Sequence, residues 1–241
     1  MTSRVVLVTG STSGIGEATA LRFADHGDRV VFNSVRSVEA GIRLASSTPN
    51  AHYVQGDIAR PDECVRIIRD VIESCGRLDV LVNNAGITRK IALKDLESAS
   101  VDVWREIFEV NVLGTWNMCV AAMDELRKSN GSIVNVSSVA GVRPTGSSIP
   151  YAASKAALNH VTALLAKAVG PDVRVNAVAP GLIDTPWTKD WDLERSFVSA
   201  VAPLHRSGTP DDVADVIFAL ASSPYVTGQV FVVDGGLSTS L

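Results

Sequence analysis

Seven short, mostly apolar runs alternate with longer helical patterns, and this alternation limits the folds that the chain can adopt. Most of the runs are nearly continuously apolar, which is typical of a parallel sheet covered on both faces. Strand–helix alternation predicts right-handed βαβ units and a doubly wound α/β fold, with a seven-stranded, mostly parallel sheet and helices on both faces. The predicted strands are 4–9, 29–34, 52–57, 78–84, 132–138, 173–179 and 229–235, and the predicted helices are 15–26, 38–47, 61–75, 102–128, 150–168 and 210–222.

The whole chain, 1–241, is expected to form one domain. Its 241 residues contain no internal repeat, low-complexity tract or linker, and this length is within the range of a single large α/β domain. Hydrophobic residues make up 46% of the sequence and charged residues 20%, which favours an ordered core over a disordered chain. The segment 182–208 fits the alternation less well, and we interpret it as a substrate-binding loop or lid, with an irregular helical loop as the alternative.

Composition disfavours several classes of function. The formal net charge is −4 without a basic cluster, which argues against a nucleic-acid partner. No run is long enough to span a membrane, and the N-terminal apolar run is too short for a signal peptide, so we expect a cytoplasmic protein. The three cysteines form no C-x-x-C motif and the four histidines lack ligand spacing, so we expect neither disulfides nor a metal site.

A glycine-rich stretch, TGSTSGIG at 9–16, follows the first predicted strand and opens the first predicted helix. Gly10, Gly14 and Gly16 allow a tight turn and a close approach of the backbone to a pyrophosphate. The start of a helix also attracts negative charge through its dipole and free N–H groups. The position of this stretch predicts a dinucleotide-binding turn of a Rossmann domain.

A tyrosine and a lysine lie four residues apart in YAASK, 151–155, within an alanine-rich run that predicts a helix. Residues at i and i+4 share a helix face, so Tyr151 and Lys155 should be neighbours. A free phenol has a pKa of about 10, and a neighbouring ammonium favours its ionised form. The pair is therefore a candidate acid/base.

With these motifs and four further features, the sequence resembles the short-chain dehydrogenase/reductase family over essentially its whole length. The glycine spacing is G-x-x-x-G-x-G, N-N-A-G lies at 83–86 and P-G-L-I-D-T lies at 180–185. Asn111 lies in the predicted helix before the fifth strand, and Ser138 ends that strand. The resemblance implies an NAD(P)-dependent oxidoreductase that interconverts a carbonyl and a secondary alcohol.

The resemblance also implies catalytic roles. Tyr151 would be the general acid/base that exchanges a proton with the substrate oxygen. Lys155 would favour the phenolate and bind the nicotinamide ribose. Ser138 would polarise the carbonyl, and Asn111 would hold a water that links Lys155 to the bulk proton supply.

The second predicted strand favours NADP(H), with NAD(H) as the alternative. An acid at its end would accept the ribose hydroxyls of NAD and repel a 2′-phosphate, but Asn33, Ser34 and Val35 are not acidic, and Arg36 follows them. Asp57 matches the family residue that binds the adenine amino group. The expected cofactor-binding residues are Gly10, Ser11, Ser13, Gly14, Ile15, Gly16, Ser34, Arg36, Asp57, Ile58, Asn84, Ala85, Gly86, Tyr151, Lys155, Pro180, Gly181, Ile183 and Thr185.

Within the family, NNAGITR and VVFNSVRS look most like 3-oxoacyl-(acyl carrier protein) reductases of fatty acid biosynthesis. An acidic carrier protein requires a basic docking patch near the active-site mouth, to which we expect Arg127 and Lys128 to contribute. Trp187 and Trp191 favour instead a pocket for a small hydrophobic ketone, a sugar or a steroid-like alcohol, or the interior of a lid.

Two further expectations follow from the motifs. The small residues of the 151–157 run would let a second helix approach closely, and the resemblance implies a homotetramer with an interface there. A non-catalytic dinucleotide-binding redox sensor is the alternative from another class, because the fold alone permits it. A sensor has no need of Asn111, Ser138, Tyr151 and Lys155 together.

Overall fold

The computed structural model of the protein describes residues 3–240, and it contains one parallel sheet. The strand order is β3-β2-β1-β4-β5-β6-β7, and every neighbouring pair is parallel. The predicted doubly wound α/β fold is therefore confirmed. The strands are β1 (Val5–Val8), β2 (Arg29–Ser34), β3 (His52–Gln55), β4 (Val80–Asn83), β5 (Ser132–Val136), β6 (Arg174–Pro180) and β7 (Val230–Val233).

Helices cover both faces of the sheet, and alternate strand residues supply two hydrophobic cores. Val5 and Leu7 pack with residues of α3, α5 and α6, whereas Val6 and Val8 pack with α1 and α8. This division follows from the two-residue repeat of a strand, which directs successive side chains to opposite faces. The helices are α1 (Gly14–Asp25), α2 (Val38–Ser47), α3 (Pro61–Cys75), α4 (Val101–Phe108), α5 (Thr115–Ser129), α6 (Ile149–Val169), α7 (Asp192–Val201) and α8 (Pro210–Ser222).

The structure differs from the sequence-based prediction in one of the helices. The predicted helix 102–128 is divided into α4 and α5 by a six-residue π-helical segment, Glu109–Gly114, which contains Asn111. Such wide turns occur mostly as local insertions at functional sites. The segment 182–208 contains a 3₁₀ turn, Pro186–Thr188, and the helix α7.

The order of the strands reverses at β1: β2 and β3 follow on one side of it, whereas β4 to β7 follow on the other side. In open α/β sheets, ligands bind in the crevice beyond the carboxyl ends of the strands at such a reversal. The glycine-rich stretch leaves β1 at this point, and N-N-A-G leaves β4 beside it. No helix within 3–240 is long and apolar enough to cross a bilayer.

Candidate active site

A cleft of about 1080 Å³ lies beyond the carboxyl ends of the strands. Ligand pockets are typically about 300–1,000 Å³, so this cleft has room for a dinucleotide and a small substrate together. One end is bordered by the glycine-rich turn, Arg36 and Asp57. The other end is bordered by Tyr151, Ser138 and the segment 182–208.

The glycine-rich turn is packed so tightly that side chains are excluded from it. Gly10 has a φ of +60°, and a Cβ atom there would lie 2.8 Å from the Cα of Ala85. A Cβ on Gly16 would lie 2.5 Å from the carbonyl oxygen of Gly10. The Asn84 amide donates to the carbonyls of Thr9 and Gly10 at 2.9 and 2.8 Å. Glycine therefore holds the turn against β4 and leaves the start of α1 open to the cleft.

Gly14, at the start of α1, borders the cleft in a left-handed conformation, with a φ of +58°. A Cβ there would lie 3.1 Å from the Cγ2 of Thr185, so the two chain segments approach each other closely. Most of the cofactor-binding residues expected from the sequence line this cleft. Those that line it are Gly10, Ser13, Gly14, Ile15, Arg36, Asp57, Ile58, Asn84, Ala85, Gly86, Tyr151, Lys155, Pro180, Gly181, Ile183 and Thr185.

Other residues of the expected site lie behind the cleft wall. The Ser11 hydroxyl accepts from the backbone N–H of Asn33 at 2.9 Å, and the Ser34 hydroxyl bonds with the Tyr53 hydroxyl at 2.9 Å. Both serines are buried, and Gly16 is packed against Asn84. Their contacts shape the turn and β2, and none of the three side-chain positions borders the cleft.

Tyr151 lies in the first turn of α6, where the Ser148 hydroxyl caps the helix by accepting the Tyr151 N–H at 3.4 Å. Its ring packs edge-on against Trp187, with 6.4 Å between the ring centroids. Burial raises the pKa of the Tyr151 phenol, and its hydrogen bond with Ser138 lowers the pKa in part. The phenol is therefore protonated at neutral pH and available as a proton donor.

Lys155 lies one helical turn further along α6 and is 4% exposed. Its Nζ donates to the carbonyl oxygen of Val136 at 2.8 Å and lies 5.7 Å from the centroid of the Tyr151 ring. Burial lowers the pKa of the Lys155 ammonium to about 8. The predicted proximity of the phenol and the ammonium is thus present in the structure.

Ser138 follows β5 and faces the cleft together with Tyr151. Its oxygen accepts the backbone N–H of Ala140 at 3.2 Å. The hydroxyl can rotate about its C–O bond, so the proton that Ser138 offers to the Tyr151 oxygen can also be donated to a substrate oxygen.

The Asn111 side chain joins the π-helical segment to the loop after β4 and does not line the cleft. Its Oδ1 accepts the backbone N–H of Ile87 at 2.8 Å, while its Nδ2 donates to the Ile87 carbonyl at 3.0 Å and to Ser154 Oγ at 3.1 Å. A Cβ on Gly86 would lie 3.2 Å from Asn111 Oδ1 and 3.7 Å from Lys155 Nζ. Asn111 therefore borders the same small space as the Lys155 ammonium.

Arg36 and Asp57 lie at the end of the cleft away from Tyr151. Arg36 is exposed and forms no ion pair with any residue in the described part of the chain. The Asp57 carboxylate accepts the backbone N–H of Ala59 at 3.0 Å, which holds it at the cleft wall. Within 3–240, no group of three or more His, Cys, Asp and Glu residues could hold a metal ion.

The expected contribution of Arg127 and Lys128 to a docking patch at this cleft is wrong. Both lie in the last turn of α5, which leads into the amino end of β5, whereas the cleft lies beyond the carboxyl ends. Arg127 is 3.8 Å from Asp124, and Lys128 is 2.7 Å from Glu125. The connection from α5 to β5 lies at the amino edge of the sheet, opposite the cleft. The basic character of the two residues does not by itself predict at which edge they lie.

The substrate end of the cleft includes residues that the sequence analysis missed. Lys90, from the loop after β4, and Glu194, from α7, both line it, and Leu237 after β7 forms part of the wall. The sequence does contain a signal for the residues of α7. The i, i+3, i+4 spacing of Glu194, Phe197 and Val198 indicates that they share one face of a helix.

Comparisons with known proteins agree with this fold. Residues 10–238 match the family model described as enoyl-(acyl carrier protein) reductase. A relative from Streptomyces violaceoruber, named "Granaticin polyketide synthase putative ketoacyl reductase 2", is 54% identical over 96% of this chain and 95% of its own length. The 3-oxoacyl-(acyl carrier protein) reductase FabG of Thermotoga maritima is 40% identical over 97% of each chain. The solved structure of ElxO with NADP bound superposes with a TM-score of 0.90 and 33% identity, covering 98% of this chain and 99% of that one.

Fold and site together define an oxidoreductase of the dinucleotide-binding α/β class. More specifically, the chain belongs to the short-chain dehydrogenase/reductase family, whose members act on carbonyl and hydroxyl groups. The predicted family and enzyme class are confirmed.

Proposed function

We propose that the protein is an NADPH-dependent reductase that converts a carbonyl to a secondary alcohol, reversibly, with Tyr151 as general acid/base. A 3-oxoacyl thioester, carried by coenzyme A or an acyl carrier protein, is the substrate class that we favour. The observation that carries the proposal is the gathering of Tyr151, Lys155 and Ser138 in the same cleft as the glycine-rich turn. The two relatives named as ketoacyl and 3-oxoacyl reductases support the choice of substrate.

The residues present fit a nicotinamide dinucleotide. At Gly14 a Cβ would fill the narrow space between the start of α1 and Thr185, where a pyrophosphate would bind. Arg36, which forms no ion pair within the described residues, offers its guanidinium after the end of β2 for a 2′-phosphate, and Asn33 and Ser34 carry no carboxylate that would repel it. NADP(H) is therefore the cofactor that we propose, and NAD(H) is the alternative.

Each catalytic side chain has a separate task. When bound in the cleft, NADPH would provide the hydride that the carbonyl carbon accepts. Ser138 donates a hydrogen bond to the carbonyl oxygen, and Tyr151 transfers its proton to that oxygen as negative charge develops. Lys155, still positively charged at neutral pH, stabilises the resulting phenolate. We propose that Asn111, beside Lys155, supports the return of a proton from solvent.

The segment 182–208 is the proposed substrate-binding part of this single domain. Trp187, Trp191 and Phe197 line the cleft and favour an apolar substrate body next to the carbonyl. These aromatic walls also support the second candidate, a dehydrogenase of a small cyclic or steroid-like alcohol. A panel of substrates separates the two candidates.

We further propose a homotetramer in the cytoplasm. Trp116 and Val120 on α5 and Leu164 on α6 are half-exposed apolar side chains, which a second subunit would cover. The three cysteines of the sequence are free, as expected where thiols remain reduced.

The first experiment is NADPH and NADH oxidation at 340 nm with acetoacetyl-CoA, crotonyl-CoA and small cyclic ketones. Turnover of acetoacetyl-CoA with NADPH is the expected result. Turnover of crotonyl-CoA alone would instead indicate reduction of a carbon–carbon double bond. Activity only on cyclic ketones would favour the second candidate.

The Tyr151→Phe variant tests the mechanism directly. It should lose roughly 10²–10⁴-fold in kcat, as removal of an acid/base does, while NADPH binding persists. Tyr225→Phe is a matched control, because Tyr225 is fully exposed and its hydroxyl is not in the cleft. Normal turnover by Tyr151→Phe would refute the assignment.

A further inference from the structure

A short bridge connects the two walls at the substrate end of the cleft. Lys90 Nζ lies 2.6 Å from Glu194 Oε1 and 5.2 Å from the centroid of the Trp191 ring. Lys90 belongs to the loop 84–100 after β4, whereas Trp191 and Glu194 belong to the segment 182–208. Within 3–240, this is the only ion pair that joins the segment to that loop.

The loop side of the bridge is firmly anchored. Ile91 donates its backbone N–H to the Ser147 carbonyl at 2.8 Å, and Ile87 bonds with Asn111. Arg89, next to Lys90, forms an ion pair with Glu106 of α4 at 2.6 Å. Lys90 therefore projects from a fixed position.

The helix side has much less to hold it. Of the ten residues in α7, Val198 alone is buried, while Leu193 and Phe197 are 85% and 52% exposed. Elements with few buried apolar contacts open at low free energy. Arg195 pairs with Asp184, but both residues belong to the segment itself, so this pair does not connect α7 to the loop 84–100.

Lys90 stabilises the ionised carboxylate of Glu194. The hydrogen bond from Lys90 is the main cause of the lowered pKa of the Glu194 carboxyl. The second carboxylate oxygen, Oε2, is buried and has no hydrogen-bond partner among the described residues. Without the ammonium, the carboxylate would be drawn outward into water, and α7 would move with it.

We propose that Lys90 is a positioning residue for catalysis, which holds α7 closed over the substrate through Glu194 and Trp191. The proposal rests on the carbonyl reductase activity proposed above. If the substrate binds only when α7 is closed, its apparent affinity is the intrinsic affinity multiplied by the fraction of molecules in which α7 is closed. Loss of the bridge should therefore raise KM and leave kcat nearly unchanged, because substrate at saturation restores the closed state.

Three variants and one control test this proposal with ethyl acetoacetate, a neutral ketone. Lys90→Met keeps an aliphatic side chain but loses the charge, and should raise KM roughly three- to tenfold, the range expected for one exposed ion pair plus a cation–π contact. Lys90→Arg should restore the parental KM. The double exchange Lys90→Glu with Glu194→Lys should restore it in part, since the ion pair is rebuilt but the contact with Trp191 is lost. Lys189→Met is the control, because Lys189 is an exposed lysine of the same segment.

Salt gives a readout that a merely structural role would not produce. The KM of the parent should rise with ionic strength as the exposed pair is screened, whereas the KM of Lys90→Met should stay constant. An equal salt dependence in both proteins would overturn the proposal.

Hydrogen exchange of the α7 amides tests the bridge independently of activity. The amides of Asp192–Val201 should exchange faster in Lys90→Met than in the parent, Lys90→Arg or Lys189→Met. If ethyl acetoacetate is not reduced but exchange changes as expected, the proposed activity fails and the bridge stands. Unchanged exchange and unchanged KM in Lys90→Met, a loss in kcat, or failure of Lys90→Arg to restore KM would each refute the role of Lys90.

Discussion

The buried ammonium of Lys155 should lower the stability of the protein at neutral pH, and Lys155→Met should be more stable than the parent. Burial lowers the pKa of this group from 10.5 to about 8. The folded state thus releases the proton more readily than the unfolded state, and protonation opposes folding. At about 1.4 kcal/mol for each pH unit, the cost below pH 8 is on the order of 3 kcal/mol.

The size of this effect depends on pH. The unfolded chain binds the extra proton between pH 8 and 10.5, so the stability of the parent rises with pH through that interval. Methionine fills a similar volume without charge, but it loses the hydrogen bond from Nζ to the Val136 carbonyl, which is worth about 1 kcal/mol. The variant should be more stable by about 2 kcal/mol at pH 7, and this advantage should disappear by about pH 10.5.

Urea-induced unfolding, followed by circular dichroism at several pH values and one protein concentration, measures this difference. Lys189→Met is again the control, because an exposed lysine should change stability little at any pH. The reasoning would be refuted if Lys155→Met were less stable than the parent at pH 7, or if the difference did not vary with pH.

Three other predictions concern the cofactor and the proton. Arg36→Ala should raise KM for NADPH at least about tenfold and KM for NADH less than about twofold, since only NADPH carries the 2′-phosphate. Steady-state kinetics measure both values, and equal effects on the two cofactors would contradict the assignment of Arg36 to the 2′-phosphate. Gly10→Ala should abolish cofactor binding and lower the free energy of unfolding by about 1–3 kcal/mol, because its Cβ would contact Ala85 and its φ is +60°. NADPH titration measures the first effect and urea unfolding the second. Normal NADPH binding would contradict the tight packing of this turn. In a pH series, kcat/KM for reduction should be constant near neutrality and decrease above about pH 8, where Lys155 loses its charge. Tyr151 should lose its proton at higher pH, because its pKa is raised. A decrease between pH 5 and 7 would indicate that another group is the acid.

Much of the fold and part of the site could be predicted from local patterns. Continuous apolar runs separated by helical segments indicate a covered parallel sheet, and the predicted strands 4–9 and 78–84 correspond to β1 and β4. The position of the glycine-rich stretch also follows from the sequence alone. Because it directly follows β1, it must lie at the carboxyl edge of the sheet, where the cleft is. The Tyr151–Lys155 pair also follows from the repeat of a single helix.

The tertiary structure decided which distant segments meet. It brings Ser138 to Tyr151 and joins Lys90 to Glu194, and neither contact has a local signature in the sequence. It also directs the end of α5, with Arg127 and Lys128, to the edge of the sheet opposite the cleft. The physical reason is that hydrogen-bond periodicity acts over a few residues, whereas the crossing of each helix over the sheet is determined by how all the buried faces pack together.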